Sequence, residues 1–315
     1  MHFTFSKRCV PKLIRNLQEL GYTVVGPSLS GGVVRLAELK GQADLAAGAV
    51  DVQDPGRYAL GKEAPLVFSS VNGPDSPKRY LHPAEVVLSR LVDGGDGVQP
   101  VSGFRPNGKY AFFGIRPCDL SAVGVLNRTL LVPGFEDRVY SALRDGAIFI
   151  VVNCTRAGEN CFCSSMGTGP GAESGYDVAI TELPEVLLVD VPEADSAIFQ
   201  GIELKPATEA ELREGEEMVQ RAKEQMGRKI VRQDLSKRMY ASMDSPAWGK
   251  VAERCLACGN CTMVCPTCFC NTVVDSTDLR DGSVSRVRVW DSCLSKDFVY
   301  SAGGNPRLQR MSRYR

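Results

Sequence analysis

Histidine is nearly absent: His2 and His82 are the only two in 315 residues. That excludes a zinc site built on paired histidines and leaves acid–base chemistry without its usual carrier. An excess of one charge is also missing, since 37 Lys and Arg balance 37 Asp and Glu. Nothing in the overall charge points to nucleic acid or to a membrane surface. No stretch reaches the roughly 18 apolar residues of a membrane span. The start, Met1 to Arg8, lacks the charged-then-apolar order of a secretory signal, so the expected location is the cytoplasm. No GxGxxG fingerprint follows a strand, and the glycine-rich stretch Met166 to Gly171 reads as a tight turn. An obvious acid, base or nucleophile of a substrate pocket is missing as well.

What is present is cysteine, twelve of them. In a cytosolic chain of this length they read as metal ligands or redox thiols, not as disulfides. Cys9 stands alone, and Cys118, Cys154, Cys161 and Cys163 lie in the middle. Cys255, Cys258, Cys261, Cys265, Cys268, Cys270 and Cys293 crowd the last third. The run Cys255-Leu-Ala-Cys258-Gly-Asn-Cys261-Thr-Met-Val-Cys265-Pro266 matches C-x2-C-x2-C-x3-C-P at every fixed position. This spacing wraps the chain around one face of an iron–sulfur cube and aims amide N–H groups at its sulfurs. Ala257, Gly259 and Asn260 are small enough for that approach. Cys255, Cys258, Cys261 and Cys265 are therefore the expected ligands of a [4Fe–4S] cluster. The competing metal is zinc, which uses well-separated C-x2-C pairs and would make this a stabilised interaction module without a redox role. In two-cluster ferredoxins the cysteine before the proline serves the other cluster, which makes Cys265 the uncertain member of the four.

Cys268, Cys270 and Cys293 read either as extra ligands or as buried small apolar side chains. Cys118 and Cys154 each follow an expected strand, and Cys161-Phe162-Cys163 lies in the loop after the second. Strand ends on one side of a parallel sheet gather in space, so these four could form a second metal site, or simply line a core loop. The end of the chain, with Arg307, Arg310, Arg313 and Arg315 and no acid after residue 304, reads as a solvated helix end or as a docking patch for an acidic partner.

The expected fold is mixed, layered α/β over 1–206, a mostly helical connector over 207–250, and a small ferredoxin-like [4Fe–4S] segment over 251–315. The spacing predicts a helix from Cys9 to Leu20, with Leu13, Leu17 and Leu20 on one face and Gly21 as its stop. Strands are expected at Thr23–Val25, Val33–Leu39, Leu66–Val71, Tyr110–Ile115, Ala147–Asn153, Val178–Thr181, Val186–Val191 and in the alternating run Val284 to Trp290. Pro83–Leu91 reads as a helix. Asp119 would cap a helix running to about Leu126, and Thr208 with Glu211 forms a capping-box pattern.

These segments together resemble a known family. Phe113-Gly-Ile-Arg-Pro-Cys118-Asp119, Asn153-Cys154, Cys161-Phe-Cys163-Ser-Ser-Met-Gly-Thr-Gly-Pro170, Cys255 through Cys270, Trp290-Asp-Ser-Cys293 and Ser312-Arg-Tyr-Arg315 carry the likeness, which spans the chain from about Asp51 onward. The chain resembles the iron–sulfur beta subunit of cytoplasmic NAD(P)-linked nickel–iron hydrogenases of the sulfhydrogenase type. It is also similar to the A subunit of anaerobic sulfite reductase, of the same dicluster family. The resemblance implies an electron-relay subunit whose partners are a flavin/NAD(P)-binding subunit and a hydrogenase or sulfite reductase catalytic subunit. Such subunits usually continue into a second ferredoxin-like cysteine run. Its lack before Arg315 leads to the expectation that this sequence is truncated and that a second cluster is completed elsewhere.

Overall fold

The computed structural model describes residues 1–71, 73–93, 98–191, 197–298 and 300–314. The chain forms two compact units, each assembled from two separate segments. One comprises Met1–Pro77 with Pro106–Val231, the other Lys78–Arg105 with Arg232–Arg315.

The first unit is a mixed α/β layer structure. Its sheet runs Lys205–Pro206, His2–Ser6, Val186–Asp190, Val178–Glu182, Ile148–Val152, Lys109–Ile115, Tyr22–Ser30, Val33–Glu38. The four strands from Val178–Glu182 to Tyr22–Ser30 pair in parallel, and the outer strands pair antiparallel. Parallel strands are covered on both faces, and the sequence shows it as continuous apolar runs. Against one face packs the helix Val10–Glu19, which buries Leu13, Ile14 and Leu17 beside Phe113, Ile150 and Val152. Leu20 departs from the expected stripe: it is the helix's C-cap and faces outward, 46% exposed. On the other side Phe112 stacks on Phe149 with ring centres 5.4 Å apart. Buried Tyr140, on the helix Arg138–Asp145, donates its hydroxyl to Asn127 Oδ1 at 2.7 Å and ties that helix to Pro117–Leu130.

The helix Pro117–Leu130 begins with Arg116 as N-cap. Asp119, at its third position, accepts the Arg116 N–H at 3.2 Å, so the expected capping role is filled from inside the helix. Thr208 and Glu211 form the expected reciprocal cap on the helix Glu209–Glu224. Leu66–Val71, expected as a strand, is a loop. Its donors are met by carboxylates instead of a neighbouring strand. Val67 and Phe68 give their N–H groups to Glu182 at 2.7 Å each, and Val71 gives its own to Asp51 at 2.7 Å.

The second unit holds a four-stranded antiparallel sheet in the order Asn271–Thr277, Val284–Trp290, Glu85–Asp93, Val98–Gly103. Glu85–Asp93 replaces the helix expected over Pro83–Leu91. Val86 is buried and Val87 exposed, a period of two, and the strand is held by its pairing with Val284–Trp290. The grouping differs from the segments 1–206, 207–250 and 251–315 for the same reason. This strand belongs with the C-terminal hairpin. The helical stretch 207–250 is shared: Glu209–Glu224 lies in the first unit, while Leu235–Ala241 and Ala247–Arg254 lie in the second. Among the described residues no helix is long and apolar enough to cross a membrane.

Candidate metal centres

The helix Ala247–Arg254 ends at Cys255, whose backbone turns extended. Two left-handed residues follow, Ala257 at φ 56° and Gly259 at φ 73°. They fold the chain back before the short helix Asn260–Val264 begins, and Cys265 closes that helix. Gly259 is required twice over. Its φ suits glycine, and a Cβ there would stand 3.0 Å from the Cβ of Ser292. Thr262 completes the contact: its hydroxyl lies 2.7 Å from Gly259 O and 2.9 Å from Ser292 Oγ. The Trp290-Asp-Ser-Cys293 segment is thus packed against the cysteine turn. Leu256 is 87% exposed, and Cys258 and Cys261 are exposed as well.

Polar groups are aimed at these sulfurs. Ala257 N–H donates to Cys255 Sγ at 3.2 Å. The Tyr314 hydroxyl also bonds that sulfur. With the Ala257 amide and the fields of Arg310 and Arg313, it holds the Cys255 thiol below the ordinary range, while Tyr314 itself is pushed up to about 12. Tyr314 lies in the field of Cys258 and Cys261 too, while its hydrogen bond is to Cys255. Among the described tail arginines Arg313 is buried, Arg307 half-buried and Arg310 exposed, and each donates to backbone carbonyls. Arg310 donates to Cys255 O, Arg307 to Ser312 O and Arg313 O, and Arg313 to Leu308 O. Arg315 lies outside the described residues.

Cys265 lies beside Cys268, and Cys270 beside Cys293. Burial pushes Cys265 up, but hydrogen bonds from Thr267 and Cys268 outweigh it and leave the thiol lowered. Cys268 is pushed up to about 12 by burial and by Cys265. Cys293 is raised by burial and by Cys270. Lys78 is buried beside them, donating to Thr262 O at 3.0 Å and Met263 O at 2.9 Å. Its burial lowers its pKa, opposed by the fields of Cys268, Cys265 and Cys270.

In the first unit Cys118, Cys154, Cys161 and Cys163 lie near enough to act on one another electrostatically. Cys118 lies in the helix after the strand Lys109–Ile115, and Cys154 just past the neighbouring parallel strand Ile148–Val152. Burial raises Cys118 well above the ordinary range, with further contributions from Asp119, Cys154, Cys163 and Cys161. Cys154 is raised by burial and by Cys161 against the pull of Arg116, and Cys163 is pushed up to about 11 by burial and by Cys154 and Cys161. Cys9, by contrast, packs against the apolar core of the first unit. His82 is buried with its ring stacked on Trp290, and His2 stands 3.8 Å from Asp190 at the surface.

Among the described residues no three Cys, His, Asp or Glu side chains stand in metal-coordinating geometry. What fits an iron–sulfur cluster at residues 255–265 is the donor chemistry. The available ligands are thiols, the backbone is folded back by two left-handed residues, and N–H and O–H donors point at sulfur. Lys78 and Thr267, both beside these cysteines, are not marked out by the sequence. Lys78 carries no local signal, being tied to the cysteines only through the fold. Tyr314 was present in the Ser-Arg-Tyr-Arg segment without an assigned role.

Residues 254–315 match the family described as a 4Fe-4S dicluster domain. Residues 254–315 of the second unit are thereby an iron–sulfur segment, and the chain binds at least one [4Fe–4S] cluster. Over 214 residues the chain is 34% identical to the sulfhydrogenase 2 subunit beta of Pyrococcus furiosus. That stretch covers 66% of this chain and 63% of the relative, so the chain spans less than two thirds of the curated protein it matches. No solved structure matches the chain.

Proposed function

We propose that this chain is an iron–sulfur electron-transfer subunit of a hydrogenase complex, relaying electrons between a flavin/NAD(P)-binding subunit and a catalytic subunit. The observation that carries this is the dicluster match over residues 254–315, lying on a cysteine turn whose sulfurs already receive N–H and O–H donors. Cys255, Cys258, Cys261 and Cys265 hold the cube in this reading. When bound, it supplies a one-electron carrier. Ala257 N–H, the Tyr314 hydroxyl and Thr267 stabilise the sulfur charge, and Lys78 adds a buried positive charge behind the turn. Hydrogen bonds and charge around the sulfurs are what tune such a carrier. The likeness to a sulfhydrogenase beta subunit favours a hydrogenase partner over a sulfite reductase one. A ferredoxin-like arrangement of residues 251–315, with a second cluster, belongs to the same proposal. So does a reducing, cytoplasmic setting, which keeps twelve free cysteines unpaired.

The test is anaerobic purification of the full chain, followed by iron and sulfide analysis and EPR of the dithionite-reduced protein. About four irons per cube and a reducible signal are expected. Absence of iron after strict anaerobic reconstitution, or zinc in its place, would sink the proposal. The partner assignment is tested by co-expression with a flavin subunit, where NAD(P)H should reduce the cluster.

A further inference from the structure

The strands Lys109–Ile115 and Ile148–Val152 are parallel neighbours with Ile115 opposite Val151, so they end at the same edge of the sheet. Cys118 and Cys154 stand just past those ends. The loop that carries the other two thiols is tied back to this edge. Cys154 N–H donates to Pro170 O at 3.0 Å. Gly169 fills the space between the elements: a Cβ there would lie 3.1 Å from Cys163 Sγ and 3.4 Å from Pro117 Cβ, the residue before Cys118. Cys161 closes a turn through its N–H to Gly158 O at 3.0 Å. A Cβ on Gly158 would stand 2.9 Å from Val71 Cγ2 and in ordinary contact with the Cys161 sulfur at 3.6 Å, so of the two glycines it is Gly169 that lets backbone press close to sulfur.

We infer that Cys118, Cys154, Cys161 and Cys163 form a separate cluster site in the first unit, taking a [4Fe–4S] cube on four thiolates. All four candidate ligands are sulfur. The nearby carboxylate, Asp119, accepts the Arg116 N–H, and neither histidine of the chain is among the four. An all-thiol set selects iron–sulfur or zinc among biological metals. Zinc sites of this ligand type are built from C-x2-C pairs, which these four residues do not contain. The cation at hand is Arg116, and its guanidinium is engaged by Val152 O, Phe68 O and Ser70 O as well as by the Cys154 thiol. Four thiolates can stand together at this edge only with a polynuclear metal core to carry the opposing charge. The inference concerns residues apart from 255–265 and stands whether or not those hold the cluster proposed above.

The experiment uses the full chain with Cys255, Cys258, Cys261, Cys265, Cys268, Cys270 and Cys293 all changed to Ser, reconstituted anaerobically with iron and sulfide. About four irons and four sulfides per chain should remain, with an EPR signal on reduction. Adding Cys118→Ser or Cys163→Ser should remove them, and adding Cys9→Ser should not. The reciprocal variant, with Cys118, Cys154, Cys161 and Cys163 changed to Ser, should lose about four irons relative to the unaltered chain and keep the rest. A seven-fold variant without iron, together with a reciprocal variant that keeps the unaltered chain's full count, would overturn the inference. So would iron that is indifferent to Cys118 and Cys163, or zinc bound in place of iron.

Discussion

Lys78 Nζ stands 4.2 Å from the centre of the Trp290 ring while donating to the carbonyls of Thr262 and Met263. One buried ammonium thus joins the strand end at Trp290 to the helix that carries Cys261. Lys78→Met keeps the stem and removes the charge. It should cost about 2–4 kcal/mol through two lost charge-assisted bonds, read as a lower urea midpoint under anaerobic conditions. It should also move the midpoint potential of the C-terminal cluster to more negative values, because a nearby positive charge favours the added electron. An EPR-monitored redox titration with no downward shift would contradict this role.

Tyr314→Phe tests the hydroxyl–sulfur bond. In the metal-free chain the Cys255 thiol is held below its ordinary value, chiefly by Tyr314, so more thiolate exists just below the usual thiol range. Thiolate is the form that alkylates. The variant should need a higher pH for the same Cys255 labelling rate, with its pH–rate curve shifted upward. Mass-spectrometric labelling against pH reads this directly, and superimposable curves would exclude the bond.

Cys258→Ala should abolish cluster-dependent electron transfer to an acceptor dye and reduce the iron content. Cys9→Ala should leave both unchanged and cost under about 1 kcal/mol, since it only trims one partly buried sulfur from the core. Equal loss from both substitutions would count against the ligand assignment.

Glu182 is 1% exposed and accepts from Val67, Phe68 and Lys7, the last at 3.0 Å. Glu182→Ala strands a lysine and two amides beside the core. A loss of about 3–5 kcal/mol is expected, measured by urea unfolding. A change within about 0.5 kcal/mol, the range of ordinary surface substitutions, would show that water replaces the carboxylate.

Much of this architecture was legible wherever the signal is local. Phe112, Phe113 and Ile115 announce a buried strand by their continuous apolar run, and Thr208 with Glu211 announces a helix start from four residues. Glu85–Asp93 was not legible as a strand. Its apolar residues come close enough to helical spacing, and the pairing with Val284–Trp290 that decides the matter lies far along the chain. Leu66–Val71 misled in the opposite sense. An apolar run reads as a strand, but whether a ladder or a pair of carboxylates takes its N–H groups depends on Glu182 and Asp51. At the site, the fixed C-x2-C spacing exposed the cysteine turn. The contact of Cys270 with Cys293 exists only once the Trp290-Asp-Ser-Cys293 segment is folded against that turn.

The second unit draws the hairpin of Glu85–Asp93 and Val98–Gly103 from residues 78–105 and its other two strands from beyond residue 231. During synthesis Glu85–Asp93 can pair at once with Val98–Gly103, but its other edge waits for Val284–Trp290. Closing so long a loop is slow, and an unpaired edge invites contact with other chains. The first unit's own chain is synthesised in the interval. The cysteine turn can therefore reach its final surroundings only after both segments of the first unit have been made, so metal loading of this unit follows their synthesis.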